Sequence, residues 1–165
     1  MRKTLWFSFF WLMLLVYAEG WISVGIGLPG MYMVGYSIDR AYISISIDPS
    51  ISKEIAFTAD WALAQSNYLL PTPWGTTIKQ ESRLYVGLTG SYFYQPYIQG
   101  NRNYAFGAYL GYGSTIYISN SFRHGVNIGT GLRSPPDLFG QFLFLGSSED
   151  LGLFMYMNVH LDFVL

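Results

Sequence analysis

The sequence predicts an all-β protein: a closed antiparallel up-and-down barrel of about eight strands behind a cleaved signal peptide. Three observations predict it. Almost every segment after Gly20 alternates with period two, the pattern of strands. Charged residues make up 12% of the chain, against 51% hydrophobic and 19% aromatic, whereas an ordinary soluble domain carries about 25% charged residues. No stretch after Gly20 supplies the roughly 20 apolar residues of a spanning helix. A chain like this enters a membrane only as a closed barrel, which satisfies every strand hydrogen bond in lipid.

The first element is an address. Arg2 and Lys3 make a short positive region, Leu5 to Tyr17 is apolar except for Ser8, and Val16 and Ala18 place small residues before a cleavage point. Glu19 and Gly20 follow at once, so the apolar run is too short to span a bilayer. The expected organisation is a signal peptide over 1–18 and a single β-barrel domain over 19–165. The mature chain then holds seven Lys plus Arg against ten Asp plus Glu, with Lys53 and Lys79 its only lysines. That acidic balance offers no basic field to a nucleic acid. Cysteine is absent, which excludes disulfides, thiolate metal sites, a Cys nucleophile and a lipoprotein anchor.

The strands are read in order as 21–38, 41–48, 54–65, 81–98, 104–119, 122–133, 138–146 and 151–164. In the second, Ile43, Ile45 and Ile47 oppose Ser44, Ser46 and Asp48; in the third, Ile55, Phe57, Ala59, Trp61 and Leu63 oppose Ala56, Thr58, Asp60 and Ala62. The last is the clearest. Leu151, Leu153, Met155, Met157, Val159, Leu161, Phe163 and Leu165 form an apolar face, opposed by Gly152, Phe154, Tyr156, Asn158, His160 and Asp162. Turn residues separate the strands at Asp39-Arg40, Asp48-Pro49-Ser50, Gln99-Gly100-Asn101, Asn120-Ser121, Ser134-Pro135-Pro136-Asp137 and Gly146-Ser147-Ser148. Residues 65–78, with Pro71 and Pro73, read as one long loop. Leu28-Pro29-Gly30 is a kink or a hairpin, and if it splits the first strand while another breaks, the count becomes ten.

Alternation does not say which face meets water. The non-apolar face is mostly Gly, Ser, Ala, Thr and Tyr, where a solvated sheet displays Lys, Glu, Gln and Arg. Small residues suit the cramped lumen of a barrel of about eight strands. Aromatics gather near strand ends at Tyr92, Phe93, Tyr94, Tyr97, Tyr104, Tyr112, Phe122 and Phe163, in the manner of interfacial girdles. On these features the chain resembles the small bacterial outer-membrane β-barrels of the eight-stranded class, over the signal segment and the whole mature length. The resemblance is one of architecture, without a diagnostic motif. It implies an outer-membrane location, a lipid bilayer as partner, and delivery by the outer-membrane insertion machinery, which recognises a terminal aromatic in that family; here Leu165 is last and Phe163 stands two residues earlier.

The strand phase turns one set of polar residues inward together: Asp60, Glu81, Arg83, Arg123, Arg133, Asn158, His160 and Asp162. Buried charges of both signs neutralise one another by pairing, so the expected lumen is a polar plug, with a gated channel as the functional rival. His160 and Asp162 share a face, as a Ser-His-Asp hydrolase would need, but no G-x-S-x-G nucleophile elbow occurs. Only two His are present, and His124 falls on the outward face, so no metal site is expected. Gly25-Ile26-Gly27-Leu28-Pro29-Gly30 matches a dinucleotide fingerprint, yet it lies in a strand with no helix to follow, and no cofactor is expected.

The sequence therefore points to a non-enzymatic integral outer-membrane β-barrel with a structural or surface-interaction role. The alternatives are a secreted or periplasmic lipocalin-like soluble barrel binding an apolar ligand, and a membrane-embedded lipid-modifying enzyme using His160. The address carries its own test. N-terminal sequencing of the exported protein should begin at Glu19, and an intact Met1 would replace the signal peptide with an anchor.

Overall fold

A computed structural model describes residues 20–28, 31–49, 53–94, 103–134 and 151–164. They form eight strands: β1 (Trp21–Leu28), β2 (Tyr32–Ile38), β3 (Ala41–Asp48), β4 (Glu54–Pro71), β5 (Thr77–Phe93), β6 (Tyr104–Tyr117), β7 (Phe122–Ser134) and β8 (Gly152–Val164). Each pairs antiparallel with the next, and β8 returns to β1 to close the barrel. The closing ladder runs from Trp21 opposite Val164 to Leu28 opposite Met157. Closure pairs every strand on both sides, although β4 beyond Trp61 and β8 before Met157 extend past their neighbours.

The expected all-β fold is present, but its eight strands are not the eight expected. The segment 21–38 is two strands, because the short link after Leu28 is a hairpin that folds β2 back on β1 from Trp21 opposite Ser37 to Ile26 opposite Tyr32. The segment expected at 138–146 lies outside the described residues, as do the leader 1–18, Tyr97 and the turns at 99–101, 135–137 and 146–148.

The expected loop at 65–78 is instead a hairpin arm. β4 and β5 continue pairing as far as Pro71 opposite Thr77, and only Thr72–Thr76 turn. The Thr72 hydroxyl accepts from the Thr76 amide at 3.1 Å, and the Gly75 amide donates to the Thr72 carbonyl at 3.1 Å. Gly75 supplies φ of 78° there, a region that costs glycine nothing. Proline misleads at Pro71 because it sits at the strand's last position, where no donor is needed.

A β-bulge at Leu63, between Ala62 and Ala64, swaps the faces of the arm. Gln65 and Asn67 beyond it therefore continue the inward row of Asp60 and Ala62. The same inward row measures the stagger. Stepping across ladder partners from Leu69 to Lys79, Tyr117, Arg123, Asp162, Ser23, Gly35 and Ser44 leads back to β4 at Thr58. The displacement from Leu69 to Thr58 is eleven positions, one of them the bulged residue. A stagger of this size in eight strands requires a tilt of roughly 40°.

The inside is polar and the outside apolar. Ser44, Thr58, Arg133, Asn158, His160 and Asp162 are buried, while Val34, Ile45, Leu88, Leu110 and Ile128 are exposed. Glycines on the lumen side make room for the large inward side chains. A Cβ at Gly111 would overlap the ring of Tyr85, and one at Gly25 or Gly125 would meet His160 from the strand on either side. Gly90 faces outward, and a Cβ there meets only the Phe106 ring at 3.5 Å, an ordinary contact.

This contrast is testable. Gly111→Ala should destabilise the detergent-folded barrel by about 1–3 kcal/mol, the usual cost of overpacking. Gly90→Ala should change stability by less than about 0.5 kcal/mol. Urea unfolding followed by the loss of gel heat-modifiability reads both.

Candidate functional site

Among the described residues the lumen concentrates the charged and polar side chains, which fall into three layers. The first lies at the end where β1 begins and β8 finishes. Arg123 donates from Nε to Asp162 at 2.6 Å, from Nη2 to the Ser37 hydroxyl at 2.7 Å and from Nη1 to the Tyr117 hydroxyl at 3.3 Å. Tyr117 donates to Glu81 at 2.8 Å, and Glu81 pairs with Arg83 at 3.1 Å. Aromatic faces hold the cations: the Arg123 guanidinium lies 4.3 Å from the Trp21 ring centre, and Lys79 Nζ lies 4.4 Å from that of Tyr117.

The second layer crosses the middle. His160 lies between the Asp162 carboxylate, 3.6 Å from Nε2, and the Asn158 amide oxygen, 2.8 Å from Nδ1. An amide oxygen accepts only, so this contact assigns the proton to Nδ1. Asn158 also receives Asn127 at 3.1 Å and donates to the Tyr156 hydroxyl at 2.5 Å. Tyr156 stacks on Tyr109 at 4.7 Å between centroids, and Tyr109 donates to Asp60. Tyr85 and Phe154 meet Tyr109 edge-on, the favoured arrangement of ring quadrupoles.

The third layer, near the opposite end, is an ion pair. Arg133 is fully buried, donates from Nη2 to Glu54 at 2.5 Å, and has its guanidinium 5.4 Å from the Phe93 ring centre. Asp48 is buried on β3 directly opposite Glu54.

All eight residues singled out by strand phase are buried in the interior, and all but Arg133 are joined through shared partners: Asp162 meets both Arg123 and His160, Tyr117 links Arg123 to Glu81, and Tyr156 and Tyr109 lead from Asn158 to Asp60. Arg123 joins Asp162, Arg83 joins Glu81, and His160 joins Asn158. Asp60 is bonded by a tyrosine, and Arg133 stands apart with Glu54. Glu54 was legible: it shares the even phase of Ala56, Thr58 and Asp60. Phe93 corrects an expectation, since it was grouped with the outer aromatics yet is buried over Arg133. Its odd phase, in step with Ser91, already turned it inward. The meeting of Trp21 with Arg123 had no local signal, because it crosses the seam that closes the barrel. His124 lies on the outer side, its Nδ1 3.1 Å from the His160 carbonyl.

Two recesses lie between these layers. The recess lined by Arg40, Tyr42, Asp60, Ala62, Arg83, Tyr85 and Asn127 has about 10 Å³, room for about one water. Among the described residues, no group of three His, Cys, Asp or Glu is arranged to hold a metal ion. Comparison with family models, with curated proteins and with solved structures finds no match to this chain.

The buried pair of the third layer gives a double-mutant test. Glu54→Leu alone leaves the Arg133 charge without its carboxylate and should cost about 3–5 kcal/mol. Adding Arg133→Met should recover most of that loss, because the remaining charge is removed as well. Urea unfolding in detergent measures both, and additive losses would mean that the pair does not act as a unit.

Proposed function

We propose that this protein is an integral outer-membrane β-barrel, non-enzymatic, with a structural or surface-interaction role and a lumen closed by its own side chains. One observation carries the reading. The outward positions of the eight strands, from Ile22 on β1 through Phe163 on β8, hold no Asp, Glu, Lys or Arg. Phe106 is 68% exposed and Leu88 63%. A wall without charge and mostly apolar is the face that hydrocarbon wets and water does not.

Aromatic residues edge the wall at both ends. Tyr92 and Tyr104 meet at 5.3 Å near one end, with Tyr32, Phe57 and Phe106 also outward there; Phe122 and Phe163 meet at 5.2 Å near the other, with Trp61 and Tyr112. Such girdles suit the headgroup level. The lipocalin-like alternative needs a roomy apolar interior, and the described interior is lined by charged and polar side chains. The lipid-modifying alternative needs a nucleophile against His160 and a path to it. The His160 Nδ1 is taken by Asn158, and the residue is 2% exposed. The outer-membrane location and delivery by the insertion machinery belong to this reading, supported by the expected leader over 1–18 and by the resemblance to the small outer-membrane barrels.

The test uses the absence of cysteine. Single cysteines at Leu153, Met155, Met157 and Val159 should react with a lipid-soluble maleimide in reconstituted vesicles and resist a charged one. Protection of all four from both reagents, or refolding to a monomer in plain buffer, would overturn the membrane reading.

A further inference from the structure

The barrel wall is not of even height. β1, β2 and β3 are 8, 7 and 8 residues long, whereas β6, β7 and β8 have 14, 13 and 13. With a rise of about 3.3 Å per residue and the tilt of roughly 40° that the stagger requires, the first group stands about 18–20 Å tall. The second group stands about 33–35 Å by the same geometry. An outer-membrane barrel usually presents an apolar band about 25 Å tall, so one side more than covers that band and the other falls short of it.

The short side is short at both ends. The β1 ladder stops at Leu28 opposite Met157, while β8 runs on to Gly152. At the other end β3 begins at Ala41 opposite Trp61, while β4 runs on to Pro71. Tilting the barrel lengthens the apolar cover at one end only by shortening it at the other. The chemistry of the rims agrees. The exposed, charged turn Asp39-Arg40 ends the β2–β3 wall on one side, and Lys53 lies just past β3 on the other. Outward aromatics stand at these same edges: Tyr32 is the first residue of β2, and Trp61 is level with the first residue of β3. Interfacial aromatics mark where the headgroups lie, and here they mark a narrow interval.

We infer that the β1–β3 face is a lipid-sorting surface: it draws the bilayer thin beside it and gathers phospholipids with short acyl chains in preference to long ones. A wall shorter than the hydrocarbon forces the adjoining lipid to compress. Short chains meet that wall without compression, so they collect against it. The faces of β6 and β7 make no such demand. This inference rests on the membrane reading above, and the experiment separates the two.

Because the chain has no cysteine, single labels need no background changes. Val34→Cys on β2 and Ile45→Cys on β3 report the short wall; Leu110→Cys on β6 and Ile128→Cys on β7 report the tall one. Each is labelled with an environment-sensitive fluorophore in the full barrel, reconstituted in an equimolar mixture of dimyristoyl and dioleoyl phosphatidylcholine. A nitroxide quencher is carried on either the short or the long lipid. The expected result is quenching at 34 and 45 that is about twofold or more stronger from the short-chain quencher, with no such preference at 110 and 128. The two positions on each wall back one another if one variant does not fold. Equal preference at all four positions would overturn the sorting inference and leave the membrane reading intact. Quenching at 110 and 128 with none at 34 and 45 would mean that protein, such as a second copy, covers the short wall, and the inference would again be wrong. No quenching at any position would overturn the membrane reading itself.

Discussion

The ladder between β1 and β8 is the interaction on which the rest of this protein depends. Eight strands closed with a stagger of eleven positions fix the tilt, and the tilt fixes how wide the lumen is. In a lumen that narrow, large inward side chains such as Tyr85, Tyr109 and Tyr156 lie against one another across strands. The inward sequence is therefore a packing solution, with Tyr85 over Gly111 and His160 between Gly25 and Gly125. Opening the closing ladder would expose two edges and flood the charged interior at once.

The same closure turns the usual distribution of charge inside out. Asp48, Glu54, Asp60, Glu81 and Asp162 are buried, and the buried arginines Arg83, Arg123 and Arg133 stand among them. Removing charges from water is costly unless each finds a partner, and the interior supplies partners of several kinds. Arg123 and Arg133 have carboxylates and aromatic faces, and Asp60 has a tyrosine hydroxyl. Pairing is not complete everywhere: the Nε and Nη1 of Arg133 and the Oδ1 of Asp162 are buried without a hydrogen-bond partner.

The candidate site was partly legible because alternation assigns faces without any knowledge of the partner strand. Asp60, Arg83, Arg123 and Asp162 could be placed on the non-apolar faces from their neighbours' hydropathy alone, and the same phase would have supplied Glu54 and Phe93. Which acid meets which base was not legible. Arg83 reaches Glu81 two residues away on its own strand, whereas Arg133 reaches Glu54 across 79 positions of sequence. The first kind of pairing is local geometry, and the second exists only once both ends of the barrel are in register.

The sequence by itself determined the all-β class, the absence of charge on one face of every strand, and the set of residues on the other. These follow from period and composition, which are properties of single strands. The tertiary structure decided where strands begin and stop. The split of 21–38 into β1 and β2, the arm reaching Pro71, and the bulge at Leu63 all depend on whether a neighbouring strand offers hydrogen bonds at that position. It also decided which face is inside. An alternating strand buries either face equally well until closure, since only a closed sheet has an interior, and only the lumen's width selects small, polar and glycine-relieved side chains for it.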